Sequence, residues 1–281
     1  FEMRFGNRVV QSSCLREDPD QLVLSYTRHM MLCLLLVPEP QKVLHIGLGG
    51  GTISNFLHRL YPELEQTVIE LNEGVLEAAC QFFGFEEDSR RNVIIADAVE
   101  KIHELEEHYD LIFLDAYGPS SAPEKLISIP FITRLSELLV PGGWLVGNFW
   151  TLNGDFEEHL NRWDKIFPTL YQARTRPTAN KILFGRKNGK TSLNGSLKDR
   201  AHFLEKKSGL DMQTFFDAVK NGAGRSWALE TLGPKILAGD FEPGFMVKHM
   251  QKDLRLANQL AEDTGTSLPT STLIAQLYRS I

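Results

Sequence analysis

Glycines and an acid follow two apolar runs of this chain, at spacings that could bind a nucleoside. Residues 43–46 lead into a glycine-rich turn at 47–51, and the apolar run 67–71 contains Glu70. Glycines let a backbone turn pass close to a ligand, and a carboxylate can accept hydrogen bonds from ribose hydroxyls. The simpler alternatives are a tight structural turn and a solvated strand end. We favour nucleoside binding by Gly47, Gly49, Gly51 and Glu70.

Two aspartates follow further apolar runs and could do chemistry of their own. Asp97, followed by Ala98, could accept the exocyclic amine of adenine or could cap a helix that starts at residue 99. Asp115 follows the run 111–114. An unperturbed Asp has a pKa of about 3.9, so we expect Asp115 to be ionised, to orient an amine nucleophile and to accept its proton. A strand-end cap is the alternative for Asp115.

The elements that must position these residues alternate between strand and helix. Strands are predicted at 43–46, 67–70, 93–96, 110–114 and 143–149, and helices near 52–60, 73–83, 98–106 and 130–139. This alternation predicts a parallel sheet covered on both faces, with its ligand beyond the carboxyl ends of the strands. An earlier strand at 7–14, a helix at 21–37 and a final strand pair at 169–174 and 181–185 complete the pattern.

The composition changes after residue 187. Residues 186–196 are polar and contain glycine, as a linker would, and the remaining sequence has helical patterns at 198–208, 211–220, 224–231, 246–263 and 268–280. We therefore predict an α/β domain over 1–187, a linker over 188–197 and an all-helical domain over 198–281.

Composition narrows the class of protein. The net charge of −6 argues mildly against nucleic-acid and anionic-membrane partners, and the apolar run 30–37 is too short to span a bilayer. Three widely spaced cysteines fit reduced thiols and do not suggest a zinc site or a disulfide scaffold. We expect a cytoplasmic protein without a metal.

At this point the residues resemble a family. Residues 3 to about 187 look like the spermidine synthase superfamily in the turn at 43–52, the acid at Glu70, the pair Asp97-Ala98, the stretch 109–115 and the glycines at 142–143. The resemblance implies a Rossmann-like, class I S-adenosylmethionine-binding fold. It also implies that Gly47, Gly49, Gly51, Glu70, Asp97 and Ala98 hold decarboxylated S-adenosylmethionine, and that Asp115 helps to deprotonate an amine. Gln11 and Tyr26 would line the substrate pocket, and we add Tyr117, from the loop 116–122, to this set.

Three positions depart from the family pattern. The family has acids where this chain has Gly50, Gly118 and Arg28. An ammonium group needs such partners when it is buried, and the acid of the turn would repel the carboxylate of intact S-adenosylmethionine. Two donors therefore remain open: decarboxylated S-adenosylmethionine, for aminopropyl transfer to a small amine, and S-adenosylmethionine, for methyl transfer to an amine or another acceptor.

Residues 198–281 resemble a second family, the C-terminal helical domain of 3-hydroxyisobutyrate dehydrogenases. The resemblance lies in the stretches 209–211, 222–227, 241–245 and 252–254. It implies that Phe245, Lys252 and Asp253 help to close an active site, whereas the simpler alternative is an exposed helix start with a solvated ion pair. A NAD-dependent 3-hydroxy acid dehydrogenase fragment and a non-catalytic nucleoside-binding protein are the remaining alternatives. Relatives of this helical domain pack against partner subunits, so we also expect a homo-oligomer.

Overall fold

The computed structural model describes residues 1–4, 10–37, 39–116, 123–150, 156–175, 180–188 and 247–264. The chain divides into two units, Phe1–Glu230 and Thr231–Ile281. Of the second unit the structure describes one helix, α7 (Val247–Thr264). The predicted helices at 198–231 and 268–280, and the linker beyond its first residue, lie outside the described residues.

The first unit is built on a seven-stranded sheet. Its strands are β3 (Lys42–Ile46), β4 (Glu65–Glu70), β5 (Arg91–Ile95), β6 (Tyr109–Leu114), β7 (Leu139–Trp150), β8 (Thr169–Arg174) and β9 (Asn180–Arg186). Their order across the sheet is β5-β4-β3-β6-β7-β9-β8. The first five of these strands are parallel, and β9 and β8 add an antiparallel pair at one edge. The predicted α/β class is confirmed.

Helices cover the sheet on both faces, and the central strands β3 and β6 are therefore almost completely buried. They are α1 (Ser25–Met30), α2 (Thr52–Leu60), α3 (Glu73–Phe82), α4 (Ala98–Lys101), α5 (Ile129–Glu137) and α6 (Phe156–Asp164). One apolar core includes Val43, Phe56 and Phe113, and the other includes Leu44, Ile112 and Leu145. Adjacent strand residues therefore point into different cores, as the two-residue period of a strand requires.

Three predicted elements differ from the observed ones. The predicted helix 98–106 ends at Lys101, and the amides of His103 and Glu104 then bond to carbonyls three residues back. Glu104, Glu106 and Glu107 follow, and acids are unfavourable at the negative end of a helix dipole. The predicted helix 21–37 is α1 continued by a 3-10 turn at Met31–Leu35. Of the predicted strand 7–14, Ser12–Ser13 forms β2, which pairs antiparallel with β1 (Glu2–Met3).

Among the described helices, none is long and apolar enough to cross a membrane. On α7 the side chains of Lys252 and Asp253 are both mostly exposed, and their charged atoms lie 4.0 Å apart. This contact has the form of the solvated ion pair that was the simpler alternative for these residues. Phe245 lies outside the described residues.

Candidate functional site

A cavity of about 860 Å³ lies at the carboxyl ends of β3, β4, β6 and β7. Eight of the ten predicted site residues line it: Gln11, Tyr26, Gly47, Gly49, Glu70, Asp97, Ala98 and Asp115. Gly51 is not among the lining residues, and Tyr117 lies outside the described part of the chain. The carboxyl ends of parallel strands meet at one edge of a sheet, which explains why residues so far apart in sequence share one cavity.

The glycine turn brings the end of β3 close to the end of β6. Gly47 has φ +94°, which side-chain-bearing residues rarely adopt. A Cβ at this position would lie 2.6 Å from the carbonyl oxygen of Asp115. Gly51 adopts φ +69° as the residue before α2, where the chain turns into the helix. Glycine is therefore required at 47 for close approach to the Asp115 backbone, and at 51 for the entry into α2.

Glu70 joins the glycine turn to the end of β4. Its Oε2 accepts a hydrogen bond from the amide of Leu48 at 2.9 Å, and its Oε1 accepts one from the amide of Asn72 at 3.0 Å. The side chain is 9% exposed. A carboxylate oxygen has two lone pairs, so each oxygen retains one acceptor site for a ligand hydroxyl.

Asp97 caps α4 and also lines the cavity. Its Oδ1 accepts a hydrogen bond from the amide of Val99 at 2.9 Å, which is the helix-cap alternative considered from sequence. The residue is exposed, and within the described residues its Oδ2 has no hydrogen-bond partner. The cap therefore leaves one oxygen for the exocyclic amine of a base.

Asp115 is held by a chain of amides from two neighbouring strands. The Nδ2 of Asn148 donates to its Oδ1 at 2.9 Å, and the Nδ2 of Asn180 donates to the Oδ1 of Asn148 at 2.9 Å. Burial raises the pKa of Asp115, and hydrogen bonds from Asn148 and Tyr26 act against this rise. The pKa of Asp115 is therefore higher than that of an exposed Asp, because desolvation disfavours the charged form.

The two asparagines were not predicted as site residues. Asn148 and Trp150 are two residues apart on β7, so their side chains lie on the same face of the sheet. Strand β9 pairs antiparallel with β7, and Asn180 lies opposite Trp150. Trp150 also lines the cavity. A signal for Asn148 was present, since it is a polar residue at the end of an apolar strand. Asn180 gives no such signal without the strand pairing.

Position 50 has no space for a side chain. A Cβ on Gly50 would lie 2.6 Å from Cδ1 of Phe83 and 2.9 Å from Cβ of Ser12. Phe83 is 2% exposed, and the Oγ of Ser12 accepts a hydrogen bond from the Gly50 amide at 2.8 Å. The position where the resembled family has an acid is therefore blocked by the surrounding packing.

His45 lines the same cavity but is neutral. Its Nε2 lies 3.0 Å from Oε1 of Gln66, and its ring stacks on Phe113 at 5.3 Å between centroids. Burial lowers the pKa of His45 to about 4. His45 therefore has no charge to pair with Asp115 near pH 7. Within the described ranges, no group of three or more His, Cys, Asp or Glu side chains could hold a metal ion.

Two family profiles match the chain, and both agree with the resemblances seen in the sequence. The spermine/spermidine synthase domain matches residues 23–191. The profile described as NAD-binding of NADP-dependent 3-hydroxyisobutyrate dehydrogenase matches residues 200–281.

Two curated relatives are transferases of different kinds. A polyamine aminopropyltransferase of Chromobacterium violaceum is 28% identical over 222 residues, which cover 78% of this chain and 85% of the relative. An eEF1A lysine and N-terminal methyltransferase of Xenopus laevis is 30% identical over 216 residues, which cover 70% of this chain and 31% of the relative. The chain thus spans about a third of the length of the methyltransferase relative.

Solved structures show the same fold. The structure of human methyltransferase-like protein 13 in complex with SAH has a TM-score of 0.59 and 27% identity, and covers 66% of this chain and 93% of that one. A probable spermidine synthase from Corynebacterium glutamicum has a TM-score of 0.60 and 19% identity, and covers 74% of this chain and 84% of that one. The homologues support a transferase that uses an S-adenosylmethionine-type cofactor. With a domain match over more than half of its length, this chain belongs to the spermine/spermidine synthase domain family.

Proposed function

We propose that this protein transfers a methyl group from intact S-adenosylmethionine to an amine nitrogen. The nucleoside part of the donor would lie along Gly47, Gly49, Glu70, Asp97 and Ala98. Glu70 would accept the ribose hydroxyls, and Asp97 would accept the adenine amine. The five residues supporting this placement line one cavity at the ends of neighbouring strands.

The packing around position 50 is the main observation that favours intact S-adenosylmethionine over the decarboxylated donor. An acid in the turn would repel the carboxylate of intact S-adenosylmethionine, and here Phe83 and Ser12 fill the space that such an acid would need. Arg28 stands at another position where the family has an acid, and it is exposed. The relative with 27% identity was solved with SAH, which is the product that methyl transfer leaves. These observations favour the intact donor over the decarboxylated one.

Asp115 supplies the base in this reaction. The acceptor nitrogen attacks the methyl carbon, the N–C bond forms, the C–S bond breaks and S-adenosylhomocysteine leaves. The proton lost by the nitrogen passes to the carboxylate of Asp115. A raised pKa makes Asp115 a stronger base than an exposed Asp, which suits general-base catalysis near neutral pH. Positioning of donor and acceptor in line should supply much of the remaining rate enhancement.

Aminopropyl transfer is the second candidate. It is favoured by the contact of Tyr26 with Asp115, since both positions match substrate-pocket residues of the resembled family. The aminopropyltransferase of Chromobacterium violaceum also aligns over most of its length. In that case the donor would be decarboxylated and the acceptor a small diamine.

Calorimetry separates the two candidates. The full chain is titrated with S-adenosylmethionine, decarboxylated S-adenosylmethionine, S-adenosylhomocysteine and methylthioadenosine. We expect the intact donor to bind at least about 10-fold tighter than the decarboxylated one, since a single charged contact is worth this much. Tighter binding of the decarboxylated donor, with methylthioadenosine released when a diamine is added, would establish aminopropyl transfer instead. Binding of none of the four compounds would overturn both.

The acceptor is then sought by transfer of labelled methyl groups to a panel of amines, from monoamines and diamines to lysine-containing peptides. Asp115→Asn is the matched control, because it keeps the shape of the side chain and removes the base. We expect this variant to bind the donor as the wild type does and to lose turnover. Equal turnover by both proteins would remove Asp115 from the mechanism.

A further inference from the structure

We propose that Asn148 and Asn180 are positioning residues, which fix the orientation of the Asp115 carboxylate and set the pH range in which it accepts a proton. The inference rests on the proposed function of Asp115 as the base. It names two cavity-lining residues that are not among the proposed donor-binding residues, on strands that the family resemblance does not connect to Asp115.

The hydrogen bonds run in one direction across three adjacent strands. Asn180, at the start of β9, donates to Asn148 on β7, and Asn148 donates to Asp115 at the end of β6. An amide has a donor end and an acceptor end, so the bond from Asn180 selects which end of Asn148 faces the carboxylate. A flipped Asn148 would place its oxygen against Asp115 and leave Asn180 facing a donor. Asn180 therefore acts on Asp115 through Asn148.

The burial of Asn148 makes its orientation important for the hydrogen bonding of Asp115. Asn148 is 5% exposed, so a lost hydrogen bond at this position is not replaced by bulk water. The bond also restrains rotation of the Asp115 carboxylate about its Cβ–Cγ bond. A base must present its oxygen within hydrogen-bond reach of the proton it accepts, so this restraint affects the rate directly.

The same bond controls the charge state of Asp115. A hydrogen bond donated to a carboxylate favours the ionised form, in opposition to the burial that raises the pKa of Asp115. Among the residues that the structure describes, the other ionisable side chains that line the cavity are Tyr26, His45, Glu70, Asp97 and Lys125. Tyr26 also donates to Asp115, whereas His45 is neutral because its pKa is about 4. Removal of the Asn148 amide should therefore leave Asp115 protonated to a higher pH.

The test compares Asn148→Leu, which keeps the volume and removes the amide, with Asn180→Ala. Two quantities are measured on the full chain: the carbon-13 NMR titration of the Asp115 carboxyl, assigned with Asp115→Asn, and the pH dependence of kcat/KM for methyl transfer. We expect both titrations to move to higher pH in Asn148→Leu. At the acid end of the profile kcat/KM should fall about 10-fold, since each pH unit changes the ionised fraction tenfold, and should approach the wild-type value at high pH.

Asn180→Ala should shift both titrations in the same direction as Asn148→Leu, but by a smaller amount. In this variant Asn148 can still donate to Asp115, but its orientation is no longer fixed by Asn180. Asn92→Ala is the matched control, since Asn92 is an exposed amide on β5 that does not line the cavity. It should shift neither titration. Asn148→Asp provides a second test if the leucine variant does not fold. A carboxylate beside Asp115 should raise the pH at which Asp115 titrates by more than the loss of the amide alone.

An Asp115 titration in a folded Asn148 variant that coincides with the wild type would overturn the proposal. The NMR measurement needs no acceptor, so it separates this proposal from the proposed function. If the wild type binds no S-adenosyl compound, the proposed function fails while the titration still reports on Asn148. If the donor binds and turnover occurs without any shift, the role of the two asparagines fails alone.

Discussion

Substitution of Gly50 by alanine should destabilise the protein through packing alone. Gly50 is not among the glycines with positive φ, so its backbone conformation is open to any residue. The added Cβ would lie 2.6 Å from Cδ1 and 2.8 Å from Cε1 of Phe83. Carbon atoms normally approach to about 3.5–4.0 Å, so the overlap approaches 1 Å.

The magnitude follows from how little Phe83 can move. Its ring is 2% exposed and packs in a small core cluster with Met3, Cys14 and Val75. Overpacking of this kind typically costs about 1–3 kcal/mol, and we expect Gly50→Ala to lower the free energy of unfolding by that amount. The measurement is urea denaturation followed by circular dichroism, with the shift in midpoint converted through a common m-value.

A double-mutant cycle identifies the cause. Phe83→Leu makes space at position 50, so the double variant should be more stable than the sum of the single effects by about 1 kcal/mol or more. Gly74→Ala is the control, because a Cβ there would lie 3.3 Å from the Asn72 side chain in the first turn of α3. We expect the control to change stability by less than about 0.5 kcal/mol. A Gly50→Ala protein as stable as the wild type, or strict additivity with Phe83→Leu, would refute this explanation of the missing acid.

Three further substitutions test the site. Asp115→Asn should reduce kcat by about 10²–10⁴-fold, the usual contribution of a general base. Because burial raises the pKa of Asp115, ionised Asp115 destabilises the fold as the pH rises through that pKa, so the same variant should have a higher Tm than the wild type at pH 8 and not at pH 3. Glu70→Gln should weaken S-adenosylhomocysteine binding about 10-fold or more by isothermal titration, because its amide group cannot accept from both backbone amides; unchanged affinity would contradict the ribose role. The wild type should lose stability as the pH falls from 6.5 to 4, and His45→Leu should lose less of its free energy of unfolding over the same range. The neutral form of His45 is favoured in the fold, and protonation costs up to about 3 kcal/mol as the pH falls toward its pKa of about 4. An unchanged pH slope of unfolding would show that another group is responsible.

Sequence reasoning predicted which residues at the ends of the parallel strands lie close together. Gly47, Glu70 and Asp115 each follow an apolar run, and parallel strands bring such positions to one edge whatever the exact strand order. Asp97 could not be assigned to one role because its two oxygens can serve two roles. One caps α4, and the other remains available.

Contacts made by pairing and packing across the fold could not be predicted. Asn180 reaches Asn148 because β9 runs antiparallel to β7 at the edge of an otherwise parallel arrangement, and alternation of strand and helix does not indicate this pairing. Phe83 ends the α3 region in sequence, and its contact with Gly50 depends on how the end of that helix meets the glycine turn. The raised pKa of Asp115 likewise depends on burial, which the residue type does not reveal.

The hydrogen bond from the Gly50 amide to Ser12 connects the β1–β2 strand pair to the glycine turn, which is the proposed donor site. A ligand that stabilises this hydrogen bond also stabilises the β1–β2 pair, and loss of the pairing then weakens the binding of the ligand by the same factor. At a ligand concentration 100 times its Kd this linkage provides up to about 2.7 kcal/mol of protection. Hydrogen exchange at the Gly50 amide and at the amides of β2 therefore offers a measure of donor occupancy that needs neither an acceptor nor a reaction.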